Sequence, residues 1–191
     1  SEPTPAEPSE PSGALEPFTV TGLVLDTQGR PLENAEVIII PDLIDGNVNA
    51  VTDANGRYKV TSLVDISYKA QAYTEEIPYN GKTVCQRLVM TNADETLSFA
   101  VDQGAERNFQ WQLTGQIGDG PSFFGGKIKV WSPHLFYDTT KAIEFTLTPT
   151  GPLLDGSEGS IILRELLLEE SDELLDIPIG LYTLQAVLLG H

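Results

Sequence analysis

The side chains that most often carry out chemistry are few and widely separated in this sequence of 191 residues. It contains two histidines, His134 and His191, and one cysteine, Cys85. A zinc peptidase needs a His/Glu/His set or an HExxH motif, and neither is present. A Gly-x-Ser-x-Gly elbow, a P-loop and a dinucleotide fingerprint are also absent from the sequence. We therefore predict that the protein is not an enzyme and has no catalytic residues and no cofactor.

Three acidic loops supply oxygen atoms of the kind that calcium binds. Aspartate and asparagine are equally the usual residues of tight turns, so we interpret these loops as turns and leave calcium as the open alternative. None of them has the spacing of an EF-hand. The three loops contain Asp42, Asp45 and Asn47; Asp53 and Asn55; and Asp155, Ser157 and Glu158.

The single cysteine lies in an apolar stretch of the chain. One thiol can form neither an intramolecular disulfide nor a thiolate metal site. Because Val84 and Leu88 lie close to Cys85 in sequence, we expect Cys85 to be a small core residue and not a reactive thiol.

Five aromatic residues lie on either side of one expected strand in the C-terminal half. If they are exposed together, they form a ligand or partner surface, for example for a carbohydrate. The alternative is that they belong to the core. The five residues are Phe123, Phe124, Trp131, Phe136 and Tyr137.

The charge balance limits the partners that the protein can have. The net charge is −17, from 28 acidic and 11 basic residues. A nucleic-acid binder needs a basic face, and so does a protein that docks on anionic lipid, so we expect neither. No stretch approaches 18 apolar residues, and we expect no transmembrane segment.

Residues 1–17 contain five prolines and four glutamates. Such a segment predicts an extended spacer, and it resembles the tether that follows the lipidated cysteine of bacterial lipoproteins. The sequence starts at Ser1, so we expect either that an export signal has been removed or that the chain has been trimmed.

Alternating apolar and polar residues, interrupted by turn signals, predict an all-β protein with two consecutive β-sandwich domains. We place the first at residues 18–115, closing with Phe109, Trp111 and Leu113 on one face of a strand. A Gly/Pro-rich connector near 116–121 precedes the second domain at 122–191. Residues 161–175 are the exception, because their Leu and Glu content suits a helix whereas their apolar blocks suit two strands joined by a turn; we slightly favour the strands.

Three groups of turn and core residues in the first domain follow one another in a characteristic order. They are Gly22, Val24, Asp26, Gly29, Pro31, Leu32, Ala35 and Val37; then Thr52, Asp53, Gly56 and Tyr58; then Tyr68, Ala70, Ala72 and Tyr73. Over residues 18–114 this order resembles the carboxypeptidase regulatory-like family of transthyretin-like (prealbumin-like) sandwiches. The chain departs from that pattern in a longer insertion at 77–104. Residues 175–184 resemble one strand-entry motif of the same family more weakly, which suggests a second, diverged sandwich of the transthyretin-like or Ig-like kind.

The resemblance implies a non-catalytic module, because members of the family are appended to peptidases, receptors, adhesins and surface lipoproteins. We therefore expect an exported bacterial protein of the extracellular space or cell surface, lipid-anchored through a residue that precedes this chain. Its expected role is structural or adhesive, as a self-assembling subunit that associates with protein partners or with itself through sandwich edges. The alternatives are a carbohydrate- or peptide-binding module of a surface lipoprotein and an accessory to a hydrolase.

Overall fold

A computed structural model describes residues 15–130, 142–167 and 171–189 of the chain. The predicted all-β class is confirmed, because these residues form strands and turns without a helix. Accordingly, this described part contains no helix that could cross a membrane.

Ten short strands lie within residues 20–110, and in β1, β2, β4 and β5 the burial alternates as the sequence pattern predicts. In β1, for example, Val20 and Val24 are fully buried, whereas Thr21 and Leu23 between them are only partly so. The ten strands are β1 Val20–Leu25, β2 Glu36–Pro41, β3 Val48–Val51, β4 Arg57–Val60, β5 Tyr68–Tyr73, β6 Ile77–Tyr79, β7 Lys82–Val84, β8 Val89–Met90, β9 Ala105–Glu106 and β10 Phe109–Gln110.

Two sheets share the hydrophobic core of this half, an arrangement consistent with a β-sandwich. One sheet has the order β4-β1-β10-β8, with β9 also paired to β1, and the other has the order β3-β2-β5. Strand β1 is antiparallel to β4 and parallel to β9 and β10. Side chains from both sheets, such as Val24, Ile39 and Phe109, form one buried cluster. The expected closing strand is short: β10 ends at Gln110, although Trp111 beyond it is also buried.

Aspartate-capped turns join the strands of the first half. The Asp53 carboxylate accepts hydrogen bonds from the backbone N–H groups of Asn55 and Arg57, at 2.8 and 2.9 Å. Gly56 follows with a positive φ of 69°, and a Cβ atom there would lie 2.5 Å from the carbonyl oxygen of Val24. The turn therefore requires glycine at this position.

The C-terminal half contains five strands in two small sheets. One sheet pairs β11 with β14, and the other has the order β13-β12-β15. A second hydrophobic cluster is formed by residues of β12, β13 and β14, among them Phe145, Leu166 and Leu174. The strands are β11 Gly126–Lys129, β12 Ala142–Pro149, β13 Ile162–Leu167, β14 Glu173–Ile177 and β15 Tyr182–Leu188.

The ambiguous stretch at residues 161–175 contains β13 and the start of β14, so its description as two strands is confirmed and a helix is not observed. The two strands do not form a hairpin, because β13 pairs with β12 and β14 pairs with β11. Each strand therefore buries leucines against a different neighbour, which overrides their helix propensity.

Apolar and polar contacts join the two halves. Leu154, between β12 and β13, belongs to the hydrophobic cluster of the first half. The buried Gln86 side chain donates to the carbonyl oxygen of Phe124 at 2.7 Å, and the Thr27 hydroxyl donates to the Asp155 carboxylate at 2.7 Å. The two halves thus share part of one core and a set of hydrogen bonds.

We expect the contact at Asp155 to weaken in acid. Burial by itself raises the pKa of the Asp155 carboxyl, but hydrogen bonds from Ser157 and Thr27 outweigh it and hold the pKa below its usual value. A depressed pKa in the folded state adds stability that is present above the unfolded-state pKa and is lost as the pH falls through the folded-state pKa.

The Asp155→Asn variant should therefore unfold at lower denaturant concentration than the wild type near pH 7, and this difference should shrink as the pH falls through the folded-state pKa of Asp155. Urea unfolding at several pH values measures it. Asp45→Asn, on an exposed loop, is the control and should show no such pH-dependent difference. A difference that stays constant with pH would contradict the assignment.

Candidate functional site

Only two of the five aromatic residues predicted to form a surface lie in the described part of the chain. Phe124 is buried, its backbone N–H donates to the carbonyl oxygen of Gly115, and it therefore offers little surface to a ligand. Phe123 is partly exposed, and its backbone forms an isolated antiparallel β-bridge with the backbone of Gln116. Trp131, Phe136 and Tyr137 lie outside the described residues, as do His134 and His191. The aromatic surface as a whole stays a prediction.

The expectation for Cys85 was wrong, because this residue is exposed. Gln86, Leu88 and Met90 are buried at alternate positions, so Cys85 and Arg87 point the other way. Although the residue is exposed, its thiol is partly desolvated, and this desolvation together with the nearby carboxylates of Glu36 and Glu76 raises the pKa of the thiol. A raised pKa lowers the thiolate fraction at neutral pH, so the geometry does not make this thiol a nucleophile.

Two of the three acidic loops bind their own backbone. The Asp53 carboxylate accepts hydrogen bonds from the N–H groups of Asn55 and Arg57, and the Asp155 carboxylate accepts one from the N–H group of Ser157. Within residues 15–130, 142–167 and 171–189, no three His, Cys, Asp or Glu side chains are grouped so as to hold a metal ion.

The most distinctive exposed surface is the edge of the sheet β13-β12-β15. The central strand β12 buries Ile143, Phe145 and Leu147 on one face. The register places Leu184 opposite Leu147 and Leu188 opposite Ile143, so both leucines of β15 point to the same face as that core. They are nevertheless 46% and 45% exposed, respectively. The apolar face of this sheet is therefore buried at β12 but exposed to solvent at β15.

Among the described residues, strand β15 lies at an edge of its sheet. It pairs with β12 on one side, and no described strand pairs with its other side. Its seven residues include no charged side chain and no proline, and all except Tyr182 are classed as exposed. Natural proteins usually shorten, charge or cover such an edge, because its free N–H and C=O groups can pair with another strand.

Other edges in the described chain carry features that limit pairing. Strand β13 includes Arg164 and Glu165, β4 includes Arg57 and Lys59, and β8 has only two residues. The four residues of β3 are uncharged, but they provide a shorter edge than β15 does. The β15 edge is thus the best candidate for a strand-pairing site.

A second candidate is a groove of about 520 Å³ where the two halves meet, with polar and apolar side chains in its lining. The outward side chains Gln110, Gln112 and Thr114 line it at a two-residue spacing, and Gln28 lines it as well. These four side chains make no hydrogen bonds to other described residues, and their amide and hydroxyl groups are of the kind that bind polar ligands. Asp155 also lines the groove, although its oxygen atoms already accept hydrogen bonds from Thr27 and Ser157.

Sequence reasoning missed both candidates for identifiable reasons. The last strand was expected, but its open edge depends on which strand lies beside it, and that pairing is not encoded locally. The groove depends on contact between residues 27–28 and 155–157, which are far apart in the chain. For β15, the signal within the sequence was seven consecutive strand residues without a charge in a strongly acidic protein.

Comparison with known proteins finds a family model that is similar to one part of the chain. Residues 19–104 match the model of the carboxypeptidase regulatory-like domain. The resemblance predicted from the sequence is thereby confirmed for this segment, which also includes the whole of the region at 77–104 described above as an insertion. No curated protein and no solved structure matches the chain.

Proposed function

We propose that this chain, with its carboxypeptidase regulatory-like segment, is a non-catalytic structural or adhesive module that works as a subunit of a larger assembly on the cell surface. Domains of this kind are non-catalytic β-sandwich modules that often occur in surface or extracellular proteins. In this proposal, residues 1–17 are the tether, and a lipid anchor is carried by a residue that precedes Ser1.

The proposal includes two sandwich domains, at 18–115 and 122–191. Two separate hydrophobic clusters support this division, one in each half. Leu154, which belongs to the first cluster, would then pack the second domain against the first.

The single observation that carries the proposal is the open β15 edge. A protein with a net charge of −17 repels most acidic partners, and its own copies, at a distance. A seven-residue edge without charge is the place where another strand can approach without like-charge repulsion. Main-chain hydrogen bonds would then supply the affinity, as in other cases of strand addition.

We expect a charge on this edge to abolish assembly at the cell surface. Leu184→Lys places an ammonium group on the exposed face of β15, and a lysine at an edge discourages strand pairing. Chemical cross-linking of intact cells, followed by detection of the chain, should show higher-mass species for the wild type and a loss of most of them for the variant.

Leu163→Lys is the matched control, because Leu163 is an exposed leucine on β13, the opposite edge of the same sheet. It should leave the cross-linked species unchanged. The proposal fails if the wild-type chain is resistant to protease added to intact cells, or if it shows no cross-linked species.

The groove where the two halves meet supports a second candidate function, that of a carbohydrate- or peptide-binding module. Amide side chains without internal partners are the groups that bind sugar hydroxyls or peptide groups. Glycan-array screening should then show binding that is lost in the double variant Gln110→Ala/Gln112→Ala. Loss in Trp131→Ala instead would identify the predicted aromatic surface. An array without any binding would remove the carbohydrate function.

A further inference from the structure

We infer that the strand that occupies the β15 edge belongs to a second copy of this chain, paired antiparallel to the first about a two-fold axis at Gln185. The inference rests on the proposed function, because it names the partner of the same edge. It is argued from the direction of the free hydrogen-bonding groups, from the residue pairs that the symmetry creates, and from charge.

The hydrogen bonds to β12 show which groups of β15 are free. The backbone N–H of Leu189 donates to the carbonyl oxygen of Ala142, and the N–H of Thr150 donates to the carbonyl oxygen of Leu181, both at 2.9 Å. Both pairs extend the register of β12 with β15. Because hydrogen-bonded positions alternate in an antiparallel ladder, the odd-numbered residues 181–189 point their N–H and C=O groups towards β12. The even-numbered residues point theirs outward.

The four outward residues of β15 are arranged symmetrically about Gln185. They are Tyr182, Leu184, Ala186 and Leu188. A two-fold axis at Gln185 places each outward residue opposite another outward residue, because 184 then faces 186 and 182 faces 188. Each such pair can exchange two main-chain hydrogen bonds, so this register uses every free group of the strand. A shift by two residues in either direction would leave some of these groups unpaired.

The side chains are compatible with this register. Leu184 lies beside Ala186 of the second copy, so a large residue faces a small one on the apolar side. On the other side, Thr183 faces Val187 of the second copy, and the two Gln185 side chains face each other. No charged group is opposed to another, although the net charge of each chain is −17.

The paired sheets would form one six-stranded sheet in the order β13-β12-β15-β15-β12-β13. The apolar face of β12 would continue across the two copies, so the exposed leucines of β15 would gain neighbours. One strand pair buries less area than the roughly 800 Å² per partner of a standard interface, so the dimer should be weak. Long-range repulsion between the acidic chains should also be screened by salt, which strengthens the dimer.

A cysteine placed at the symmetry axis tests the register directly. In a Cys85→Ser background, Gln185→Cys places two thiols in a non-hydrogen-bonded pair with Cα atoms about 4.5–5.5 Å apart, within the range for a disulfide. Thr183→Cys is the control, because residues 183 of the two copies would be about 14 Å apart. We expect at least about tenfold more disulfide-linked dimer from Gln185→Cys than from Thr183→Cys under mild oxidation.

Proline tests the hydrogen bonds of the free edge. Ala186→Pro removes an outward N–H and leaves the ladder with β12 intact, whereas Ala186→Val keeps that N–H and a similar apolar surface. Sedimentation equilibrium should show a concentration-dependent dimer for the wild type and Ala186→Val, strengthened by added salt, and a monomer for Ala186→Pro.

The inference is overturned if the wild type stays monomeric at millimolar concentration, or if both cysteine positions cross-link equally. This failure is distinguishable from failure of the proposed function. Cross-linked species on cells that disappear in Leu184→Lys, together with a monomeric purified protein, would retain the assembly function but assign the edge to a different partner.

Discussion

Gly22→Ala is expected to lower the free energy of unfolding by about 3 kcal/mol or more, the upper end of what overpacking costs. Gly22 is a buried residue of β1, and a Cβ atom there would lie 1.9 Å from the carbonyl oxygen of Arg107 and 2.6 Å from Cε1 of Tyr58. The nearest atom belongs to the backbone, so no side-chain rotation relieves the overlap.

Two hydrogen bonds depend on the same close approach. The Tyr58 hydroxyl donates to the Arg107 carbonyl oxygen at 2.7 Å, and the Arg107 N–H donates to the carbonyl oxygen of Thr21 at 2.9 Å. Moving Arg107 away would break both, and the buried Tyr58 hydroxyl would lose its partner. This is why we expect a large effect from one methyl group.

Gly151→Ala is the matched control, because a Cβ atom at Gly151 has no neighbour within 4 Å. It should change the free energy of unfolding by less than about 0.5 kcal/mol. Urea unfolding followed by tryptophan fluorescence measures both variants. Similar midpoints for Gly22→Ala and the wild type would show that β1 does not pack against residue 107 as described.

The second large effect is expected at Gln86, which is buried where the two halves meet. Its side-chain oxygen accepts a hydrogen bond from the Trp111 indole N–H at 3.1 Å, and its side-chain nitrogen donates to the Phe124 carbonyl oxygen. Gln86→Leu keeps most of the volume but leaves both groups buried without these bonds. Unpaired buried groups cost about 1–3 kcal/mol each, so we expect a loss of about 3 kcal/mol.

A second substitution at the same position separates hydrogen bonding from packing. Gln86→Glu preserves the shape, but the carboxylate cannot donate to Phe124 and its burial is costly at neutral pH. Protonation restores a donor, so the deficit relative to the wild type should shrink as the pH falls. Gln103→Leu, at an exposed position, is the control and should have little effect. A deficit for Gln86→Glu that is independent of pH would contradict this account.

Local patterns predicted the strands of both halves, and the reason is visible in particular residues. In β1 and β4, the alternation of Val20 and Val24, and of Tyr58 and Val60, with less buried neighbours is the alternation of the sequence itself. The turn at Asn55-Gly56 could also be predicted from the sequence, because its hydrogen bonds all lie within five consecutive residues.

What could not be predicted depends on distant contacts. Gln86 looks like a surface residue in the sequence, and only the approach of Trp111 and Phe124 makes it a buried one. The same alternation that buries Gln86 exposes Cys85, which its apolar neighbours in the sequence had led us to place in the core. The open edge of β15 likewise depends on its place beside β12.

The position of β1 inside its sheet has a mechanical consequence. The chain enters the fold through this strand, which is flanked by β4 on one side and by β9 and β10 on the other. A pull on the N-terminal segment along the strand axis would load these ladders in shear, so that many hydrogen bonds must break together rather than one after another. A strand at the margin would instead unzip. The topology would thus resist unfolding if the proposed N-terminal tether were placed under tension.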